Sequence, residues 1–177
     1  MSFTSRSLLT LVAVALLACG STWITTSIAE PAKPDAAVAR TRKQVQMLDD
    51  LYKTAIVLIT DKYVQRETDL PAGTAFKALF TAMKKKGWHE VRLVDATGEP
   101  LVEDNAPADD FEKSAITALL AGKPGFEQVI EKDGKRFLRS ATPVPVVMQK
   151  CILCHPNYKD VPEGKAIGAL SYIVPVE

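Results

Sequence analysis

The stretch Phe126-Glu127-Gln128-Val129-Ile130-Glu131-Lys132-Asp133-Gly134-Lys135-Arg136-Phe137-Leu138-Arg139-Ser140-Ala141-Thr142-Pro143-Val144-Pro145-Val146 reads as two strands spliced by a turn. Asp-Gly supplies the positive backbone angles that a tight hairpin needs, so strands are expected over Phe126 to Glu131 and Lys135 to Val146, paired antiparallel. Upstream, Trp88 to Asp95 alternates as a strand, Asp95-Ala96-Thr97-Gly98 reverses it, and Pro100 to Glu103 is expected to pair back. Downstream, Ala166 to Val174 is a small-and-apolar strand.

Helices fill the rest. From about Ala36 to Gln65 the apolar positions Val45, Leu48, Tyr52, Ala55, Ile59 and Tyr63 recur every three or four residues between charged ones, the signature of one long helix. At 1.5 Å per residue it reaches roughly 45 Å, longer than a domain of this size needs. Its N-terminal half is therefore expected to project, to pack on a second subunit as a homodimer, or to lead to the membrane. A second helix runs from about Gly73 to Lys86 on Phe76, Leu79, Phe80 and Met83 before Gly87. Pro107, Asp109 and Asp110 open a third that presents Phe111, Ala115, Ala118 and Leu119 and stops at Gly122. Consecutive strands on short turns, with helices collected on one side, make an α+β fold. The order of elements fits a PAS-like domain with a cofactor held in the loop before its last strand.

That loop contains Cys151-Ile152-Leu153-Cys154-His155, the C-x-x-C-H pattern for covalent attachment of a c-type haem. Each thiol can add across one haem vinyl to form a thioether, and a short helical turn sets both sulfurs at one porphyrin edge. His155 then follows as the proximal axial ligand. A zinc site wants four ligands, commonly from two spaced pairs, and outside the motif the chain offers only Cys19 and His89. A thioredoxin-like dithiol belongs where a strand enters a helix in a βαβ unit, whereas this motif follows the Pro-rich Thr142-Pro143-Val144-Pro145.

The N-terminus agrees with haem attachment outside the cytoplasm. Arg6 is the only charge before Glu30, and Leu8 to Ala18 has the length of a signal-peptide core. Ser27-Ile28-Ala29 offers small residues for cleavage, Leu16-Leu17-Ala18-Cys19 resembles a lipobox in which Cys19 is lipidated, and Leu8 to Ile28 is just long enough to span ~30 Å of bilayer. All three fates of residues 1–29 put residues 30–177 in the periplasm or another extracytoplasmic space, in the last two with a tether. The 177-residue chain has 22 basic and 21 acidic residues, and losing Arg6 leaves 21 of each. A neutral domain lacks the basic excess that nucleic-acid binding draws on. Lys84-Lys85-Lys86 is better read as the solvated end of a helix.

Gly87-Trp88-His89-Glu90-Val91-Arg92-Leu93, Lys132-Asp133-Gly134-Lys135, Pro143-Val144-Pro145-Val146-Val147-Met148 before the Cys motif, and Ile167-Gly168-Ala169-Leu170-Ser171-Tyr172 together make the chain, from about residue 45 onward, resemble the periplasmic PAS-like c-type haem proteins. The resemblance implies a PAS-like fold, one covalent haem c and a role in redox or ligand sensing. It makes Cys151 and Cys154 the thioether residues and His155 the proximal ligand. Some members take a Cys of the long helix as second axial ligand, but Ala55 to Lys62 contains none.

The sixth position is therefore open: His89 is a distal-ligand candidate, although a lone His beside Val91 and Leu93 is more often a hydrogen-bonded core residue, and a vacant or water-bound site is an equal alternative. Met47, Met83 and Met148 are thioether candidates better read as packing, and Lys62 would bind iron only if neutral. Arg92, Arg136 and Arg139 could pair with haem propionates, with solvated surface Arg as the default. Trp88, Phe126, Phe137 and Tyr158 could stack near the porphyrin, with plain core as the default. No Ser-His-Asp, paired-carboxylate or phosphate-loop constellation stands out, so no enzyme is expected. A peroxidase-like reading would need an acid-base group over the iron, for which only His89 is in view. The remaining alternatives are a redox or ligand sensor module, whose output an unidentified signalling or redox protein must supply, and a small monohaem electron carrier.

Overall fold

A computed structural model describes residues 34–66, 69–162 and 164–177. The expected leader, residues 1–29 with Cys19, lies outside them. Helix α1 (Ala36–Tyr63) opens at Asp35, whose carboxylate accepts from the Ala37 and Val38 amides, and α2 (Ala72–Lys85) begins directly after Pro71. Strand β1 (Glu90–Asp95) follows, then a 3-10 turn (Glu103–Asn105), α3 (Asp110–Leu120), β2 (Phe126–Lys132), β3 (Lys135–Pro145), α4 (Gln149–Cys154), a second 3-10 turn (Pro156–Tyr158) and β4 (Ala166–Pro175). Among the described residues, no helix is long and apolar enough to cross a membrane.

The four strands form an open antiparallel sheet in the order β1-β4-β3-β2, an α+β arrangement consistent with a PAS-like fold. Asp133 and Gly134 both adopt positive φ in the β2–β3 turn, as the Asp-Gly pair requires. Strand alternation sends neighbouring residues to opposite faces. Leu170, Tyr172, Val174, Leu138 and Val91 meet Val38, Val45 and Tyr52 of α1 and Phe76 and Phe80 of α2 on one face. Ala169, Ala141 and Val94 meet Phe111, Ala115 and Leu119 of α3 on the other. Helices thus cover both faces, correcting the expectation that they gather on one side. The small residues of β3 and β4 let α3 approach closely.

The N-terminal half of α1 does not project. Val38, Thr41 and Val45 are buried, Thr41 Oγ1 donates to the Ala37 carbonyl at 3.1 Å and reaches that of Pro175 at 3.5 Å, and Asp35 pairs with Arg136. Tyr63, expected on the inner stripe, is instead 76% exposed at the helix end. Met47, Leu51 and Leu58 lie exposed on the outer side, so Met47 is not packing.

Pro100 to Glu103 does not form the expected strand. The Asp95 carboxylate closes the preceding turn by accepting from the Thr97 and Gly98 amides, and Arg92 then holds the carbonyls of Asp104 and Ala106 while pairing with buried Glu112. That clamp fixes the segment as a turn. Its side chains Leu101 and Val102 face a cavity rather than a neighbouring strand.

Candidate functional site

A cavity of about 370 Å³ opens where the C-terminal half of α1, the start of α2, the Leu101–Val102 segment and α4 meet the sheet. Its size is within the range of small-molecule sites, ~300–1,000 Å³. Helix α1 contributes Ile56, Val57 and Thr60, the sheet contributes Leu93, Val144, Ile167 and Gly168, and the motif segment contributes Met148, Cys151, His155 and Tyr158. Beyond these motif residues, the lining is apolar apart from three lysines, Asp95, Asn105, Thr60 and Thr74.

Local hydrogen bonds place the motif. Helix α4 closes its turn through the His155 amide, which donates to the Cys151 carbonyl at 3.2 Å, and Lys150 donates to the Asp61 carbonyl in the last turn of α1 at 2.5 Å. Cys151 is half-buried with a free thiol. Cys154 lies within α4, but its side chain falls outside the described parts of the structure. The His155 ring stacks on Tyr158 with centroids 4.7 Å apart and planes 12° from parallel. Its Nδ1 is buried without a hydrogen-bond partner among the described residues. Burial pushes the His155 imidazole below the usual histidine range, partly offset by the charge of Asp95. Burial, and then Asp95, pushes the Tyr158 phenol up.

An imidazole unbonded at a buried nitrogen is unusual, because buried polar groups are nearly always satisfied. Beside a free thiol on an apolar cavity, the arrangement can hold a large apolar group with a metal ion at its centre. The family model for the Tll0287-like proteins matches residues 32–175, spanning both the sheet and this site. The chain belongs to the Tll0287-like family. No curated protein matches it. Within this Tll0287-like domain, Asp95 and the Ile56–Thr60 face of α1 are site features that sequence reading did not assemble, whereas Tyr158, a stacking candidate from the sequence, does line the cavity. The Asp95-x-Thr97-Gly98 turn signature was the available signal for the first.

The structure does not bring His89 to the cavity. It is buried beside α1, with Nε2 2.8 Å from Tyr52 Oη, and is absent from the cavity lining. Lys62 is an exposed partner of Asp61, which holds its ammonium above the ordinary lysine range. Met148 lines the cavity, while Met83 stays half-buried on α2. The three arginines are taken: Arg92 by Glu112, Arg136 by Asp35, and Arg139 by Asp109 while its guanidinium lies over the Phe111 ring at 4.1 Å. Trp88 is 70% exposed rather than core, and Phe126 packs on Phe111.

His89 carries a pH prediction. Burial depresses its folded pKa below the ordinary histidine range, so the unfolded chain binds more protons in acid and stability rises with pH there. The contribution is fully present above about 6.5 and lost as pH falls through the depressed folded value. His89→Gln keeps a polar partner for Tyr52 without titrating. Urea midpoints at about pH 7.5 and about pH 5.5 should fall less steeply in the variant, and equal slopes would contradict this account.

Proposed function

We propose that this chain is an extracytoplasmic c-type haem-binding protein that works as a redox or ligand sensor module. The observation that carries the reading is His155. Its half-buried ring sits directly after the Cys-x-x-Cys helix, has a buried Nδ1 with no hydrogen-bond partner among the described residues, and lines a largely apolar cavity shared with Cys151. These residues fit the group: Cys151 and Cys154 would hold it by thioethers, and His155 would be its proximal ligand. When bound, haem supplies one-electron redox and small-ligand binding. The chain's own part is to exclude water with Ile56, Val57, Leu93 and Val144, and to fix the imidazole against Tyr158.

One feature favours a sensor over an electron carrier. The helix whose inner face lines the cavity also carries Met47, Leu51 and Leu58 on its outer face, where a second copy or a signalling partner would read its position. Export places the domain in the periplasm, with the leader as its route or tether.

Expression in a host competent for cytochrome maturation tests the reading. The exported protein should gain the mass of one haem, show a Soret band, and keep its pigment through acid-acetone extraction; a polypeptide at its bare mass would refute it. Carbon monoxide then separates the roles. Rapid uptake by the ferrous protein supports ligand sensing, and an unresponsive low-spin spectrum supports the carrier.

A further inference from the structure

Asp95 is the last residue of β1, 8% exposed, and lines the same cavity as His155 and Tyr158. Strand alternation puts it on the face of Val91 and Leu93, among apolar side chains. Its oxygens accept from the Thr97 amide at 2.8 Å, the Gly98 amide at 2.8 Å, and the Thr97 hydroxyl at 2.9 and 3.0 Å. Every one of these donors is neutral. Among the described residues no Lys or Arg forms an ion pair with it, and the three cavity lysines are engaged elsewhere, Lys53 with Asp49, Lys77 with Asp104 at 3.9 Å, and Lys150 with the Asp61 carbonyl.

A carboxylate in such a place needs more explanation than turn closure, which Asn also performs without a charge. Within an apolar cavity Coulomb interactions are screened far less than in water.

Resting on the haem reading above, we propose that Asp95 is a fixed negative charge that holds the reduction potential of the bound haem low. One electron from an external donor takes the iron from ferric to ferrous, with no bond made or broken and one unit of positive charge removed. A nearby anion favours the more positive, ferric state. Asp95 touches neither the iron nor a reactant in this account, so it is a positioning residue acting through electrostatics.

The test is a spectroelectrochemical titration of holoprotein with dithionite as reductant. Asp95→Asn retains the acceptor oxygen for the Thr97 and Gly98 amides and removes the charge. The ferric-to-ferrous ratio at fixed ambient potential should fall at least tenfold, an upward shift of about 59 mV for one electron, with Soret position and thermal midpoint unchanged. If the Asn variant does not fold, Asp95→Ser supplies the same comparison. Thr97→Ala loosens the turn but keeps the charge, and its potential should stay within twofold of the parent in the same ratio. An Asp95 variant with intact haem and unchanged potential overturns the proposal, as does an equal rise in Thr97→Ala. A parent protein without covalent haem overturns the haem reading itself, a result visible before any potential is measured.

Discussion

Exported protein with Cys151 and Cys154 both replaced by Ala is expected to emerge at its bare mass and without a Soret band, a complete loss of pigment rather than a weakening. In the proposed reading the two sulfurs provide the covalent bonds, and neither the cavity nor His155 could replace a thioether. Cys151 is half-buried at the cavity wall with its thiol free, so Cys151→Ala removes little packing. The apo fold should therefore persist, and circular dichroism should match the parent. His155→Ala separates attachment from ligation: covalent mass should be retained, while the absorption and magnetic spectra change to those of an iron that has lost its imidazole. If His155→Ala left the spectra of the parent, the proximal assignment would be wrong even with haem attached.

The second large effect is on stability. Leu170 is fully buried in β4, opposite Leu93 of β1 and Thr142 of β3, within the cluster joining the sheet to α1 and α2. Leu170→Ala should cost ~2–5 kcal/mol, the lost transfer energy plus the cavity left behind. Against a typical domain stability of about 5–15 kcal/mol, that is a large fraction, and it would appear as a lower urea midpoint with little change in slope. Two residues earlier, the constraint has the opposite sign. A Cβ on Gly168 would lie 2.7 Å from the Val94 carbonyl oxygen, and backbone atoms cannot step aside as a flexible side chain would, so Gly168→Ala should cost about 1–3 kcal/mol through overpacking. Exposed Trp88 is the control, its replacement by Ala staying within about 0.5 kcal/mol. A Leu170→Ala midpoint indistinguishable from that of Trp88→Ala would refute this account of the core.

Local rules made the helices and the hairpin legible, because the Asp133-Gly134 turn, the Asp109 cap and the 3.6-residue stripe of α1 are satisfied by neighbours in sequence. What escaped depends on contacts between distant residues. The Pro100 to Glu103 segment carries apolar side chains suited to a strand, but the Arg92 clamp on two carbonyls decides its path. The placement of α3 on the second face follows from Ala141 and Ala169, whose smallness signals nothing until the register pairs their strands. The candidate site divides in the same way. Cys151, Cys154 and His155 are visible as adjacent letters, whereas Asp95 enters the cavity only because β1 lies beside β4. His89 shows the converse: its alternation with Val91 and Leu93 correctly indicates an inward side chain, but the partner it meets is Tyr52.

The strand that is last among the described elements is second in the sheet. β1 and β3 share no ladder of their own and are joined only by β4, whose first residue, Ala166, comes after the Cys motif. During synthesis, Cys151 to His155 therefore emerge while the two halves of the sheet are still unstitched and the cavity walls are apart. Under the haem reading proposed above, enzymes attaching the group to the thiols would meet an accessible segment, and the closing strand would then seal the product inside, so the topology would set a window for maturation.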